Sequence, residues 1–188
     1  MKGKVIVFSA PSGSGKTTLV QWLLQQNLNL HFSVSATSRP ARGSEIDGKD
    51  YFFLTPDQFR QKIADSAFLE YEEVYTDKFY GTLQSEVEQM LADGKNVLFD
   101  VDVKGGVSIK NHFGNQALSI FVHPPSIEVL EQRLNGRGTD APHIIRERID
   151  KAAYELTFAT QFDRIVVNDD LKEAKQNCLH LIASFVEI

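Results

Sequence analysis

Cysteine is nearly missing from this chain: Cys178 stands alone in 188 residues, so no intrachain disulfide can staple the fold and stability must come from a buried core. Its neighbours in the last helical segment are apolar, which reads as packing rather than a catalytic thiol. Long hydrophobic runs are missing too. No stretch approaches the roughly 20 apolar residues that span a bilayer, and only about six lie between Met1-Lys2-Gly3-Lys4 and Pro11, fewer than a signal-peptide core needs. The expectation is a cytoplasmic protein with no membrane partner. Positive charge is not in excess either: the formal net charge of -5 argues against a surface that coats a nucleic acid polymer, although local basic clusters can still hold a small anion. His31, His112, His123, His143 and His180 lack metal-ligand spacing, so no zinc site is expected. There is no internal repeat, low-complexity tract or long linker.

What is present is 42% hydrophobic and 24% charged residues, enough for one full core with small inserts. Apolar runs at Val5–Phe8, Phe32–Val34, Val97–Val101, Leu118–Val122 and Ile165–Val167 alternate with helical segments. That alternation predicts an α/β fold, a doubly wound parallel sheet of about five strands covered on both faces. The spacing predicts helices over Leu83 to Ala92, stopped by Gly94, over Ile127 to Leu134, capped by Ser126, and from Asp170 with Glu173 through Phe185.

Between the first strand and first helix runs Phe8-Ser9-Ala10-Pro11-Ser12-Gly13-Ser14-Gly15-Lys16-Thr17. Backbone N–H groups of a glycine-rich strand-to-helix turn converge on an anion, and the helix N-terminus adds roughly half a positive charge. The segment resembles the phosphate loop of P-loop NTPases. Lys16 is placed to reach the β- and γ-phosphates of a nucleoside triphosphate, and the Thr17 hydroxyl to ligate Mg²⁺. The pattern departs at its first position, where Ala10 replaces glycine; Ala10 must then keep an ordinary β-like backbone, or the match is accidental.

Two stretches interrupt the alternation. Residues 35–81 combine a turn at Asp47-Gly48, a strand Tyr51–Leu54, a helix opened by Thr55-Pro56 with Gln58, and strands near Phe68–Val74 and Lys78–Tyr80. Residues 135–158 are arginine-rich and helical in pattern, with Gly136 and Gly138 as candidate hinges of a lid. The core is then 1–34, 82–134 and 159–188.

Across these inserts the chain carries Ser35-Ala36-Thr37-Ser38-Arg39-Pro40-Ala41-Arg42-Gly43, Gly48-Lys49-Asp50-Tyr51, Phe68-Leu69-Glu70-Tyr71, Phe79-Tyr80-Gly81-Thr82, Asp100-Val101-Asp102 and Arg137-Gly138-Thr139. In that order they resemble guanylate kinases over essentially the whole length, and Ala10 matches a variant common in that family. The resemblance implies ATP-dependent phosphorylation of GMP, and of dGMP, with Mg²⁺. It also implies a GMP-binding role for the first insert.

A monophosphate dianion needs directional donors, and two guanidiniums with two phenols supply them: Arg39, Arg42, Tyr51 and Tyr80 match the family's positions. Guanine offers N1–H and N2–H donors on one edge, which a carboxylate accepts and adenine cannot satisfy; Glu70 is the candidate, at a discrimination on the order of 10⁴-fold. By resemblance Ser35 bonds the O6 region, Asp102 the exocyclic amine, and Thr82 completes the GMP side. Asp100 and Asp102 end an apolar strand at the sheet edge where ligands bind, and strand alternation puts both on one face. Their division, Asp100 on a metal water and Asp102 in the acceptor site, rests on the resemblance; Asp102 also reads as a helix N-cap. The ATP side takes Ala10, Pro11, Ser12, Gly13, Ser14, Gly15, Lys16, Thr17 and Thr18, with Arg133 and Asn168 by resemblance. Lys16, Arg39, Arg137 and Arg148 are the catalytic candidates, since arginines from a closing lid neutralise the migrating phosphoryl group. Spacing alone does not separate Arg146 from Arg148. Two other readings stand beside this one: a non-catalytic guanylate-kinase-like module that binds proteins, and a kinase of a sugar phosphate. Assembly into a homo-oligomer is left open.

Overall fold

Every residue of the first strand β1 (Val5–Ser9) is buried, because it lies at the centre of a sheet covered on both sides. The computed structural model describes residues 2–136 and 141–187. After β1 come α1 (Lys16–Leu23), β2 (Leu30–Phe32), β3 (Ala36–Thr37), β4 (Phe52–Phe53), α2 (Pro56–Ala64), β5 (Phe68–Tyr75), β6 (Lys78–Leu83) and α3 (Gln84–Ala92). Then follow β7 (Asn96–Asp100), α4 (Val103–Phe113), β8 (Ala117–His123), α5 (Ile127–Gly136), α6 (Pro142–Leu156), β9 (Arg164–Val167) and α7 (Leu171–Val186).

The main sheet has the order β2-β7-β1-β8-β9 and every pairing in it is parallel. Alternation along β1 divides its side chains between two cores. Ile6 and Phe8 pack with Leu19, Leu23, Leu98, Ile120 and Ile182, beneath α1 and α7. Val5 and Val7 pack with Val87, Val97, Phe99 and Ile109, beneath α3 and α4. Each large side chain buried this way stabilises the fold by about 1.5–3 kcal/mol relative to exposure. Cys178 lies in the first core, where burial pushes its thiol up to about 12, so it is inert packing.

The first insert forms a second, mixed sheet in the order β4-β3-β6-β5, parallel only between β3 and β4. Phe59 of α2 is its keystone, stacked on Phe68 and Phe79 with ring centroids 4.3 and 5.2 Å apart. The predicted Thr55–Gln58 capping box is formed.

Three boundaries move. The strand expected at Phe32–Val34 is β2 at Leu30–Phe32: it is an edge strand, and Phe32 is 43% exposed, so burial does not mark its end. The strand expected near Lys78–Tyr80 runs on to Leu83, which belongs to β6 rather than to the following helix, because Phe68 pairs with Leu83 across the hairpin. Ala36–Thr37, to which the sequence pattern assigns no element, is a short strand held between β4 and β6.

Candidate active site

The segment joining β1 to α1 turns sharply, and its glycines take the backbone that the turn requires. Gly13 and Gly15 have φ of 94° and 87°, the left-handed region that favours glycine. Ala10 is not among the non-glycine residues with positive φ, so it fills the loop's first position without strain. A Cβ on Gly15 would come within 2.3 Å of Asn168 Nδ2. That amide, 4% exposed at the end of β9, donates to the carbonyl of Ser14 at 2.7 Å. Arg133 on α5 in turn donates to the carbonyl of Asn168 at 3.0 Å. Arg133 and Asn168 therefore meet Gly13, Gly15 and Thr18 around one surface cavity.

Lys16 opens α1, and its ammonium is ion-paired with Asp100 at the end of β7. Burial pulls its pKa down to about 8 against the upward pull of Glu155 and Asp102. Ala10, Pro11, Ser12, Gly13, Gly15, Lys16, Thr17 and Thr18 line a cavity of about 340 Å³, together with Asp100, Asp102 and Glu155. Asp102 caps α4, accepting from the Gly105 N–H at 2.7 Å. The cap and a wall position coexist: Asp102 also lines a neighbouring cavity of about 510 Å³ with Glu70, Glu72, Lys104 and Ser108.

Behind that second cavity's lining, the buried Thr82 hydroxyl donates to Glu70 at 2.6 Å. Burial pushes the Glu70 carboxyl up to about 7, with Asp102 and Glu72 adding to the rise and the Thr82 bond opposing it. Glu72 is raised as well, by partial burial and by the nearby Asp102 carboxylate. Pairing of β5 with β6 sets Glu70 opposite Thr82 and Glu72 opposite Tyr80. Residues two apart on a strand share a face, so Tyr80 and Thr82 join the Arg39 region to the Glu70 cavity.

Arg39 is 7% exposed and densely held. It donates to Glu45 through both terminal nitrogens, at 2.6 and 2.7 Å, and through Nε to the Tyr80 hydroxyl at 3.2 Å. Its guanidinium lies 4.8 Å from the Tyr51 ring centroid. The bidentate bond raises Arg39 and holds Glu45 down at about 2. Arg39, Tyr51 and Tyr80 are thus brought together. Arg42 is exposed, its backbone N–H donating to Glu45, and Ser35 is half-buried, its carbonyl accepting from Phe52. Neither is among the described residues lining the two cavities.

On α6, Arg148 donates to the Ser12 hydroxyl at 3.0 Å while Arg146 is exposed, a distinction that spacing alone does not make. Arg137 lies outside the described residues. Three acidic residues escaped the sequence reading. Glu72 was discoverable, two positions from Glu70 on a predicted strand. Glu155 was discoverable as well, two helical turns beyond Arg148. Glu45 carries no local signal and is identified only by its contact with Arg39.

The family model described as guanylate kinase matches residues 2–184. A curated guanylate kinase of Bacteroides fragilis is 60% identical over 187 residues, covering 100% of this chain and 92% of that protein. The crystal structure of a guanylate kinase from Anaplasma phagocytophilum superposes with a TM-score of 0.75 at 29% identity, over 98% of this chain and 87% of that one. A shikimate kinase from Bacteroides thetaiotaomicron, at 17% identity and a TM-score of 0.54 over 96% of this chain and 98% of that one, shares the fold alone.

Proposed function

The chain belongs to the guanylate kinase family and phosphorylates GMP, and we propose that the γ-phosphoryl group of ATP passes to GMP where the two cavities meet at Asp102. The observation that carries this reading is the shared wall: one cavity is lined by the phosphate loop, the other by the carboxylate able to read guanine. Two nucleotides laid tail to tail across Asp102 bring donor and acceptor phosphates together, and in-line transfer needs no covalent enzyme intermediate.

Backbone N–H groups of Gly13 to Thr18 cradle the ATP phosphates, and Lys16 exchanges Asp100 for them. Arg39, Arg42, Tyr51 and Tyr80 hold the GMP phosphate, and Glu70, set by Thr82, accepts from the guanine edge with Ser35 and Asp102 beside it. Arg148, with Arg137 from the lid, neutralises charge on the phosphoryl oxygens. Arg133 and Asn168 border the adenine side. The division into core, GMP-binding insert and lid belongs to the same reading.

Thr17 and Asp100 are hard oxygen donors that both line the first cavity, the chemistry that suits Mg²⁺. Among the described residues no set of three or more His, Cys, Asp or Glu forms a protein cage, which fits an ion that keeps waters and leans on substrate phosphates. When bound there, Mg²⁺ offsets charge on the β- and γ-phosphate oxygens.

Neither a protein-binding module nor a sugar-phosphate kinase is favoured, since the full-length relatives are guanylate kinases. No helix among the described residues is long and apolar enough to cross a membrane; a cytoplasmic location is part of the proposal. ADP release measured with GMP, dGMP, AMP and UMP tests the whole reading. Turnover with the two guanine nucleotides and little with the others is expected; equal turnover with AMP would remove Glu70 from base recognition.

A further inference from the structure

Glu155 is 6% exposed, yet the reading above gives it no task. It lies seven residues beyond Arg148 on α6, and at about 3.6 residues per turn this returns it to nearly the same face. Ala152, between them, packs with Leu130, Leu134, Ile145 and Ile149, so α5 fixes the rotation of α6. Arg148 on that face reaches Ser12 of the phosphate loop. Glu155 on the same face lines the phosphate-loop cavity with Lys16, Asp100 and Asp102. Its ion pair within the helix, to Lys151 at 3.8 Å, involves a side chain that is 67% exposed. So long and screened a pair does not repay the burial of a carboxylate. The charged groups that act on Glu155 are Lys151, Asp102, Lys16 and Glu72. Of the two cations, Lys16 is the one that shares its cavity.

We propose that Glu155 is a positioning residue for phosphoryl transfer: from the α6 face that carries Arg148, its carboxylate attracts the Lys16 ammonium and holds lid helix and phosphate loop in one register. Lys16 and Arg148 then converge on the migrating phosphoryl group. The arrangement is a two-point grip, one cation of α6 on the loop and one anion of α6 on the loop's cation. When ATP draws Lys16 from Asp100, Glu155 remains the carboxylate that keeps the ammonium aimed toward the lid. Misplacement of such groups by about 1 Å costs on the order of 100-fold in rate.

The inference rests on Lys16 and Arg148 acting on the phosphoryl group, so Arg148→Met is measured alongside. Glu155→Gln keeps shape and hydrogen-bonding capacity and removes only the charge. The expected result is a fall in kcat of about 10- to 100-fold with KM for GMP within about 2-fold. A non-hydrolysable ATP analogue should bind at least as tightly as to wild type, because a carboxylate beside polyphosphate has been removed. Packing alone would leave kcat intact in this variant. A kcat within about 2-fold of wild type, in Glu155→Gln with Arg148→Met impaired, overturns the inference and leaves the functional reading standing. Full kcat in Arg148→Met overturns both. Loss of analogue affinity equal to the loss of kcat also overturns it, by making Glu155 a binding determinant. Lys151→Met should retain kcat; a fall matching that of Glu155→Gln would make Lys151 the partner and sink the proposal. If Glu155→Gln fails to fold, Glu155→Asp carries the test, and undiminished kcat with the shortened side chain counts against a fixed register.

Discussion

The side-chain amide of Asn168 donates to the carbonyl oxygen of Ser14 across 2.7 Å, joining positions 154 residues apart. The end of the last core strand thereby braces the phosphate loop, and the loop's shape depends on the rest of the sheet as well as on its own glycines.

Removing that brace should loosen the loop. Asn168→Ala leaves the Ser14 carbonyl without its partner, which costs about 1–3 kcal/mol, and Gly15→Ala forces a Cβ toward the same amide at a positive φ. Both variants should lower the thermal midpoint and raise KM for ATP, while KM for GMP changes little. Steady-state kinetics with each substrate varied in turn checks this. A selective effect on GMP would detach Asn168 from the loop.

Lys16→Ala should reduce kcat by at least about 100-fold without unfolding the protein. The ammonium is held at about 8 by burial in the ligand-free chain, so kcat/KM for ATP, which reports the free enzyme, should fall as pH rises through that value. A flat profile between pH 7 and 9, about one unit to either side, would show that Lys16 does not act in its charged form.

Burial pushes the Glu70 carboxyl from its ordinary 4.5 up to about 7 in the folded chain. The folded state then holds an extra proton between these values, so this group's contribution to stability is present at low pH and is lost as pH rises from 4.5 through about 7. Glu70→Gln should flatten that part of the melting profile. Recognition runs the other way, since guanine donors need the carboxylate: affinity for GMP should rise through the same window. Calorimetric titration at several pH values checks both signs. Glu70→Ala should raise KM for GMP and relax the preference for guanine with ATP binding nearly intact.

Glu45 is held at about 2 by its bidentate bond from Arg39. A depressed carboxylate contributes stability above its ordinary value of 4.5 that is lost as pH falls toward 2, and since the Glu45 side chain is only partly buried this part should weaken with added salt. Glu45→Gln should also let the Arg39 guanidinium turn, raising KM for GMP about 3- to 10-fold with kcat little changed. An unaltered KM would mean that Tyr80 and Tyr51 suffice to aim Arg39.

The parallel sheet was legible because each central strand is apolar on both faces, as Val5 to Phe8 illustrate. The caps at Thr55, Ser126 and Asp170 were legible because capping is local chemistry, and all three side chains accept the N–H expected of them. The edge strand β2 was displaced and the short strand β3 missed, since neither is specified by its own alternation. Their pairing partners, Asn96 to Leu98 and Gly81 with Tyr80, lie far along the chain.

Residue order alone determined that a glycine turn sits between strand and helix, that carboxylates end an apolar strand, and that Glu70 lies on a strand of the insert. These depend on periodicity and on neighbours in the chain. Only the tertiary structure decided that Asp102 forms a wall of both cavities, that Glu45 holds Arg39, that Arg148 rather than Arg146 reaches the loop, and that Glu155 is buried beside it. Charge pairing and desolvation depend on distances through space, and these exist only once the sheet, the insert and α6 have packed together.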